Sequence, residues 1–218
     1  YALAPEKNLV PRPIGVSAHQ AAASAISGVT AVQALGTTPA SRVLVLGASG
    51  GVGSFATQFA KAAGAHVTAV ASTAKLDFVR GLGADEVLDY TATDPVDGTL
   101  TYDLILEMGG IRSDSALRRG LTPGGRAVIV GGEGGGRVIG GFLGSMTAGL
   151  RSTFRRQKVT GLMSLTTTAD LERVAAALSA GDVVPAIDDV LPLADAAEAL
   201  RRLESRRVRG KLVIDPTL

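Results

Sequence analysis

The chain of 218 residues contains no cysteine and no tryptophan, and its aromatics amount to 4%. The absence of cysteine excludes a disulfide framework, a zinc finger or ribbon, and a thiol nucleophile. Histidine is almost as scarce: His19 and His66 lie far apart in sequence, so neither belongs to a local cluster of strong metal ligands and neither is a convincing acid or base. An excess of one charge is lacking too. With 22 Lys and Arg against 20 Asp and Glu, the net charge of +2 is too balanced for a dedicated nucleic-acid binder. No apolar run reaches the roughly 18 residues that a membrane span needs. A reducing cytoplasm is the compartment expected from such a composition.

What remains is a hydrophobic share of 46% and 28 glycines. The first is enough for a packed core of Ala, Val, Leu and Ile and excludes disorder. The second is close to twice the ordinary usage of about 7% but has no triplet period, so the glycines are expected in turns and close contacts.

Periodicity organises the chain. Ser17 is a candidate N-cap for an Ala-rich helix that runs to Leu35 and is expected to break near Ser27-Gly28. Arg42 to Leu46 (RVLVL) is a continuous apolar run, as in a strand buried on both faces of a parallel sheet. Helix and strand patterns then alternate through Val52–Ala63, His66–Val70, Ala74–Leu82, Glu86–Leu88, Asp103–Leu106, Ser113–Leu121 and Arg126–Val130. Such alternation implies an α/β, doubly wound parallel sheet of about six strands, with Lys158 to Met163 as the sixth. Between them, Gly131 to Gly149 has no readable period and is expected to be a loop with a short helix. Further on come a helix over Ala169–Ala180, a strand over Ala186–Leu191, a helix over Leu193–Leu203 and a last strand over Lys211–Ile214. The first fifteen residues hold three prolines and little apolar material, and are expected to pack against something upstream.

The chemistry is concentrated in Gly47-Ala48-Ser49-Gly50-Gly51-Val52-Gly53, between a strand and a helix. A pyrophosphate needs backbone N–H groups at a helix N-terminus with no Cβ in the way, and Gly50, Gly51 and Gly53 are expected to supply the turn, the close approach and the tight helix–strand contact. The bland alternative is a βα turn that binds nothing; the further βα units downstream favour the Rossmann nucleotide site. No Gly-Lys-Ser/Thr follows, so the loop is not a P-loop. NAD-binding folds place an acid at the end of the second strand to hold the ribose hydroxyls. Here that position reads Ala71-Ser72-Thr73-Ala74-Lys75, with no carboxylate before Asp77. A hydroxyl and an ammonium suit a 2′-phosphate, so NADP(H) is expected rather than NAD(H), unless Lys75 is an ordinary solvated lysine.

These same residues resemble the zinc-independent quinone oxidoreductase branch of the medium-chain dehydrogenase/reductases. The likeness is carried by Gly47–Gly53 with the helix after it, by Leu82-Gly83-Ala84-Asp85-Glu86-Val87-Leu88-Asp89-Tyr90, and by Val208-Arg209-Gly210-Lys211-Leu212-Val213-Ile214. It implies that residues 1–20 are a remnant of a barrel-like catalytic domain otherwise absent, that 21–163 form the NADP-binding domain, and that 164–218 return to the catalytic domain. It also implies that Ser49, Gly50, Gly51 and Val52 lie under the pyrophosphate, that Ser72 and Lys75 meet the 2′-phosphate, and that Gly131 and Gly132 lie near the nicotinamide. Tyr90 is placed beside the 2′-phosphate on this reading, or else covers a sheet edge. Where zinc-dependent relatives carry a ligand, Ala25-Ile26-Ser27-Gly28-Val29 offers neither Cys nor Glu. A homodimer joined through the sixth strand and a small-molecule substrate follow from the same likeness.

Other features weigh less. Arg151–Lys158 and Arg201–Arg209 read as solvated basic faces, and Asp188-Asp189, on a strand, are expected to point to opposite sides. A short-chain dehydrogenase would need Tyr-x-x-x-Lys, but Asp94 and Leu106 stand four past Tyr90 and Tyr102. Two functions stay open: the cofactor-binding part of an oxidoreductase moving hydride between NADPH and a quinone, enone or similar conjugated carbonyl, and a non-catalytic NADP-binding module.

Overall fold

The computed structural model describes residues 3–109, 111–131 and 156–218. Six strands form one sheet in the order β3-β2-β1-β4-β5-β6, comprising β1 (Arg42–Leu46), β2 (His66–Ala71), β3 (Glu86–Asp89), β4 (Tyr102–Glu107), β5 (Leu121–Val130) and β6 (Lys158–Leu162). Every neighbouring pair is parallel. Successive residues point to opposite faces, and both faces are covered. On one, Val43, Val45, Val67, Ala69, Leu104 and Leu106 pack on Phe55, Ala56 and Ala60 of α2 (Gly51–Ala62) and Ala31 and Ala34 of α1 (Ala18–Leu35). On the other, Leu44, Leu46, Val70, Ile105 and Val159 pack with Leu117 of α4 (Asp114–Arg119), Val96 and Tyr102. α3 (Leu76–Gly81) follows β2 after a 3-10 turn, Thr73–Lys75, which takes the first residues expected of that helix.

Helix α1 begins as expected and does not break. Ser17 accepts a hydrogen bond from the backbone N–H of Gln20, whose side chain accepts from the N–H of Ser17, a reciprocal capping box. Gly28 lies mid-helix because α5 (Thr168–Ala180) crosses there: a Cβ on Gly28 would come within 3.0 Å of Val174 Cγ1. Val29, Val32 and Val174 are buried at that crossing. The glycine serves helix packing rather than helix termination.

Beyond α5, strands β7 (Ile187–Pro192) and β8 (Lys211–Asp215) make a separate two-stranded parallel sheet connected by α6 (Ala196–Glu204). It is tied to α1 by His19, whose Nε2 lies 2.7 Å from Asp215 Oδ2. A register shift between Ile187 and Asp189 overturns the expectation that Asp188 and Asp189 face apart. Both reach Arg202, at 3.4 and 2.6 Å. The irregular stretch expected between Gly131 and Gly149 falls, from Gly132 on, outside the described residues.

Candidate functional site

The strand order reverses between β1 and β4, and a crevice opens at the carboxyl ends of the strands where such sheets hold ligands. Strand β1 ends at Leu46 and the chain turns at Gly47, whose φ of +82° is open to glycine at little cost. Gly50 then caps α2 without any side-chain hydrogen bond, so the first N–H groups of the helix keep no side-chain acceptor.

The glycines divide the work differently from the sequence expectation. The turn belongs to Gly47, not Gly50. A Cβ on Gly53 would sit 2.2 Å from the carbonyl oxygen of Gly47, so Gly53 is the tight helix–strand contact, as expected. Gly51 does not face open space: a Cβ there would meet Lys211 Cδ at 2.9 Å and Ser27 Oγ at 3.1 Å. At Gly50 the only atom within 4 Å of an added Cβ is the Gly47 oxygen, at 3.5 Å, which makes Gly50 the residue whose bareness leaves the loop approachable.

Around this loop lies a cleft of about 390 Å³. Its walls include Ser49, Gly50, Gly51 and Val52 from the loop, Ser72 and Lys75 from the end of β2, and Tyr90 from the end of β3. Seven of the nine residues singled out in the sequence therefore converge. Gly131 closes β5 with φ +100°, one residue beyond Val130 of the cleft wall, and is not itself part of that wall. Gly132 lies outside the described residues.

Sequence reasoning missed two contributors. Glu107, at the end of β4, is 2% exposed and accepts a hydrogen bond from the N–H of Gly109 at 3.0 Å, with Arg112 3.9 Å away. It thereby shapes Met108-Gly109, which line the cleft. The other is the segment between α6 and β8. Gly210 donates its N–H to the carbonyl of Ser49 at 2.9 Å and pairs with Gly50 in a parallel bridge, and Arg206 and Val208 line the cleft. Arg206, though exposed, thus lies in the turn past α6 rather than on the helix face, whereas Arg201, within the helix, pairs with Glu198 on the exposed side of α6. A signal was present in Gly210 ahead of the last strand, but nothing in sequence says that this strand passes the first loop.

Lys75 is not the freely solvated lysine of a helix start. Its ammonium donates to the carbonyls of Arg206 at 2.8 Å and Val208 at 2.7 Å, and burial lowers its pKa. Lys211, beside Gly51, is also lowered by burial. An acid does stand near the end of β2 in space, from another strand: Asp89 of β3. Its oxygens are taken up by Thr73 and Thr91, which hold its carboxyl below the usual range, and it does not line the cleft. Indeed no carboxylate lines the cleft among the described residues.

A larger cavity of about 620 Å³ lies at the opposite ends of the strands, between α1, α2 and α5. Its lining is mostly alanine and other apolar side chains, with Arg173 and Asp182 its only charged members among the described residues. Size alone does not make it the chemical site; it has neither the glycine loop nor converging polar groups.

A family model for zinc-binding dehydrogenases matches residues 82–214. Over 230 residues the chain is 31% identical to the chloroplast envelope quinone oxidoreductase homolog of Arabidopsis thaliana, covering 99% of this chain and 68% of that protein. Among solved structures it resembles the quinone oxidoreductase from Coxiella burnetii, with a TM-score of 0.78 and 27% identity over 94% of this chain and 63% of that one. It also resembles an NAD-dependent alcohol dehydrogenase, with a TM-score of 0.80 and 33% identity over 97% of this chain and 63% of that one. The chain thus spans roughly two-thirds of the length of these relatives. Because the family match extends over more than half of the residues and the likeness holds in both sequence and fold, the chain belongs to the medium-chain dehydrogenase/reductase family, within its quinone oxidoreductase branch.

Proposed function

We propose that this chain is the cofactor-binding part of an oxidoreductase that moves hydride between NADPH and a quinone, enone or similar conjugated carbonyl. The observation that carries the cofactor choice is the charge of the cleft: Lys75 and Arg206 line it and no carboxylate does, among the described residues. A 2′-phosphate of nearly two negative charges is attracted by such a wall, whereas ribose hydroxyls would gain from an acid. A dinucleotide fits the residues present, since Gly50 leaves the loop open and α2 offers uncapped N–H groups. Ser49, Gly50 and Val52 would hold the pyrophosphate, and Ser72, Arg206 and Tyr90 would border the adenosine phosphate. Gly131, with Gly132 after it, would lie towards the nicotinamide.

The bound cofactor supplies the hydride; this chain orients it and keeps water from the sheet-side face. A catalytic zinc does not suit the donor set. There is no cysteine, His19 is held by Asp215, and His66 opens β2 at the far end of the sheet between Asp85 and Glu86. We assign the substrate wall mainly to the third of the relatives' length that lies outside this chain, with residues 1–20 and 164–218 joining it. The edge of β6, open among the described residues and with Met163 68% and Leu165 70% exposed beside it, is our candidate for a homodimer contact.

Nucleotide fluorescence titration tests the cofactor choice. Tighter binding of NADPH than of NADH, by about tenfold or more, is expected from one charge-assisted phosphate contact. Equal affinities would refute it.

A further inference from the structure

The cavity of about 620 Å³ at the amino ends of the strands is of ligand size, and its form follows from where alanine stands. Arg173, Ala176, Ala177 and Ala180 recur at the spacing of one helix face, and that face of α5 lines the cavity. Ala60 of α2 and Ala63 just past it stand in the wall as well, over a buried floor of Val43 and Leu104. The position of α5 is set elsewhere: Val174 meets Gly28, and Gln33 of α1 donates to Asp170 Oδ2 and to the carbonyl of Leu165, each at 2.7 Å. A further wall, Gly36–Pro39, is held by Arg126 of β5, whose guanidinium donates to the carbonyls of Leu35 and Thr38. With its walls fixed and its side chains short, the cavity keeps an apolar floor while its rim at Thr37, Thr38, Ala176 and Ala180 is exposed. An apolar surface that solvent reaches in this way marks a place for a ligand.

One cation selects the occupant. The Arg173 side chain is 52% exposed and makes no hydrogen bond among the described residues. Its nearest acid, Asp170, accepts from Gln33 and Thr167 on one oxygen and holds the other 3.9 Å from the guanidinium, too far for a hydrogen bond. Arg173 thus keeps its donors for an anion. Past Ala180 and the left-handed Gly181, the other charged group of the wall is Asp182, which repels an anion at that end. The seven residues from Arg173 to Ala180 rise about 10 Å, the length of an extended chain of about eight carbons.

We propose that this cavity binds a medium-length acyl carboxylate, its head on Arg173 and its alkyl chain along the alanine face of α5, over Val43 and Leu104. The same polarity disfavours a diacid, whose second carboxylate would approach Asp182. Size disfavours a folded partner, since a stable protein interface takes about 800 Å² from each side and this cavity has the volume of a small-molecule site. The site lies at the end of the sheet away from the glycine loop, so the proposal stands apart from the NADPH reading.

Isothermal titration calorimetry of the 218-residue chain with octanoate tests it. One octanoate should bind with a Kd of about 1 mM or tighter, and from hexanoate upward each methylene should tighten binding about two- to fourfold until the chain fills the strip. Octanedioate should bind at least tenfold more weakly. R173Q should weaken octanoate about fivefold and leave octanol within about twofold, because only the charge is removed. A177L places a branched side chain in the cavity and should weaken both ligands at least tenfold, with the light-scattering mass unchanged. Should A177L fail to fold, A176L on the exposed rim replaces it. The proposal is overturned if octanoate fails to bind at about 10 mM, ten times the expected constant. Equal octanoate binding by R173Q and by the filled variant places it elsewhere, and octanedioate bound as tightly as octanoate removes the polarity; either overturns the proposal. Competition between octanoate and NADPH moves the ligand to the cleft, and a lower mass in the filled variant gives this face to a second copy of the chain; each likewise overturns it.

Discussion

Three alanine substitutions within four residues, G50A, G51A and G53A, should have sharply different consequences, although the sequence motif makes the glycines look alike. At Gly53 the new methyl would sit 2.2 Å from the Gly47 oxygen and 2.8 Å from Ala48 Cα. Both are backbone atoms of the turn that leaves β1, so relief requires about an ångström of movement between α2 and the sheet. Overpacking usually costs about 1–3 kcal/mol, and a rigid backbone neighbour puts this case at or above the top of that range. With a urea slope of about 2 kcal/mol/M, the midpoint should fall by about 1.5 M. At Gly51 the obstacles are Lys211 Cδ and Ser27 Oγ, at 2.9 and 3.1 Å. Side chains give way more readily, so about 1 kcal/mol is expected. A valine there would push further into the Lys211 stem, and any loss of nucleotide binding would come through the displaced start of β8. At Gly50 the nearest atom is 3.5 Å away and φ is −85°, so alanine fits. Alanine caps a helix less well than glycine but loses less chain entropy on folding, and the two nearly offset, leaving stability within about 0.5 kcal/mol. The same methyl projects towards the cleft and should weaken NADPH binding at least tenfold, about 1.4 kcal/mol. Urea unfolding and nucleotide titration on the three variants check both orders. If G53A proves as stable as the unaltered chain, or G50A is the least stable, the assignment of roles within the loop is wrong.

Three further outcomes follow from other parts of the molecule. S17A removes one arm of the capping box of α1 and should cost about 1 kcal/mol, seen as a fall of about 2–4 °C in the thermal midpoint. Asp215 is held at about 2, first by the Thr217 hydroxyl and then by His19, below its ordinary 3.8. A depressed carboxyl contributes stability that is present above the ordinary value and lost as pH falls through about 2; D215N should therefore flatten the fall in urea midpoint between about pH 4 and 2. An unchanged slope would exclude the pair as its source. Lys211 has its charged form disfavoured by burial and no opposite charge within ion-pair distance among the described residues. K211M should raise the thermal midpoint of the nucleotide-free chain, and a drop would mean that the ammonium has a stabilising partner.

Most of the sheet was legible because a parallel strand buried on both faces must be apolar throughout, and RVLVL or RAVIV admits few other readings. Element ends were less so. The helix expected from Ala74 starts as a 3-10 turn, and α1 runs through Gly28 where a break was expected. The second case is instructive, since propensity counts a mid-helix glycine as a cost of about 1 kcal/mol but cannot see a crossing helix for which that bare Cα is a requirement. Val174, which fills the space, lies almost a hundred and fifty residues downstream.

The same limit governs the site. The half of it built from β1, α2 and the end of β2 is local, so spacing reveals it. The other half arrives from the far end of the chain: Gly210 beside Gly50, Lys211 over Gly51, and Arg206 across from Lys75. Charge pattern alone put Arg206 with Arg201 in one solvated basic cluster, set against Glu198 and Glu204 at helical spacing. What separates them is the reversal to positive φ at Arg206, after which the chain no longer follows the helix. Two positive charges near a presumed phosphate look interchangeable in sequence. In space Lys75 donates to the carbonyls of Arg206 and Val208, a meeting of two distant segments that sequence spacing does not reveal.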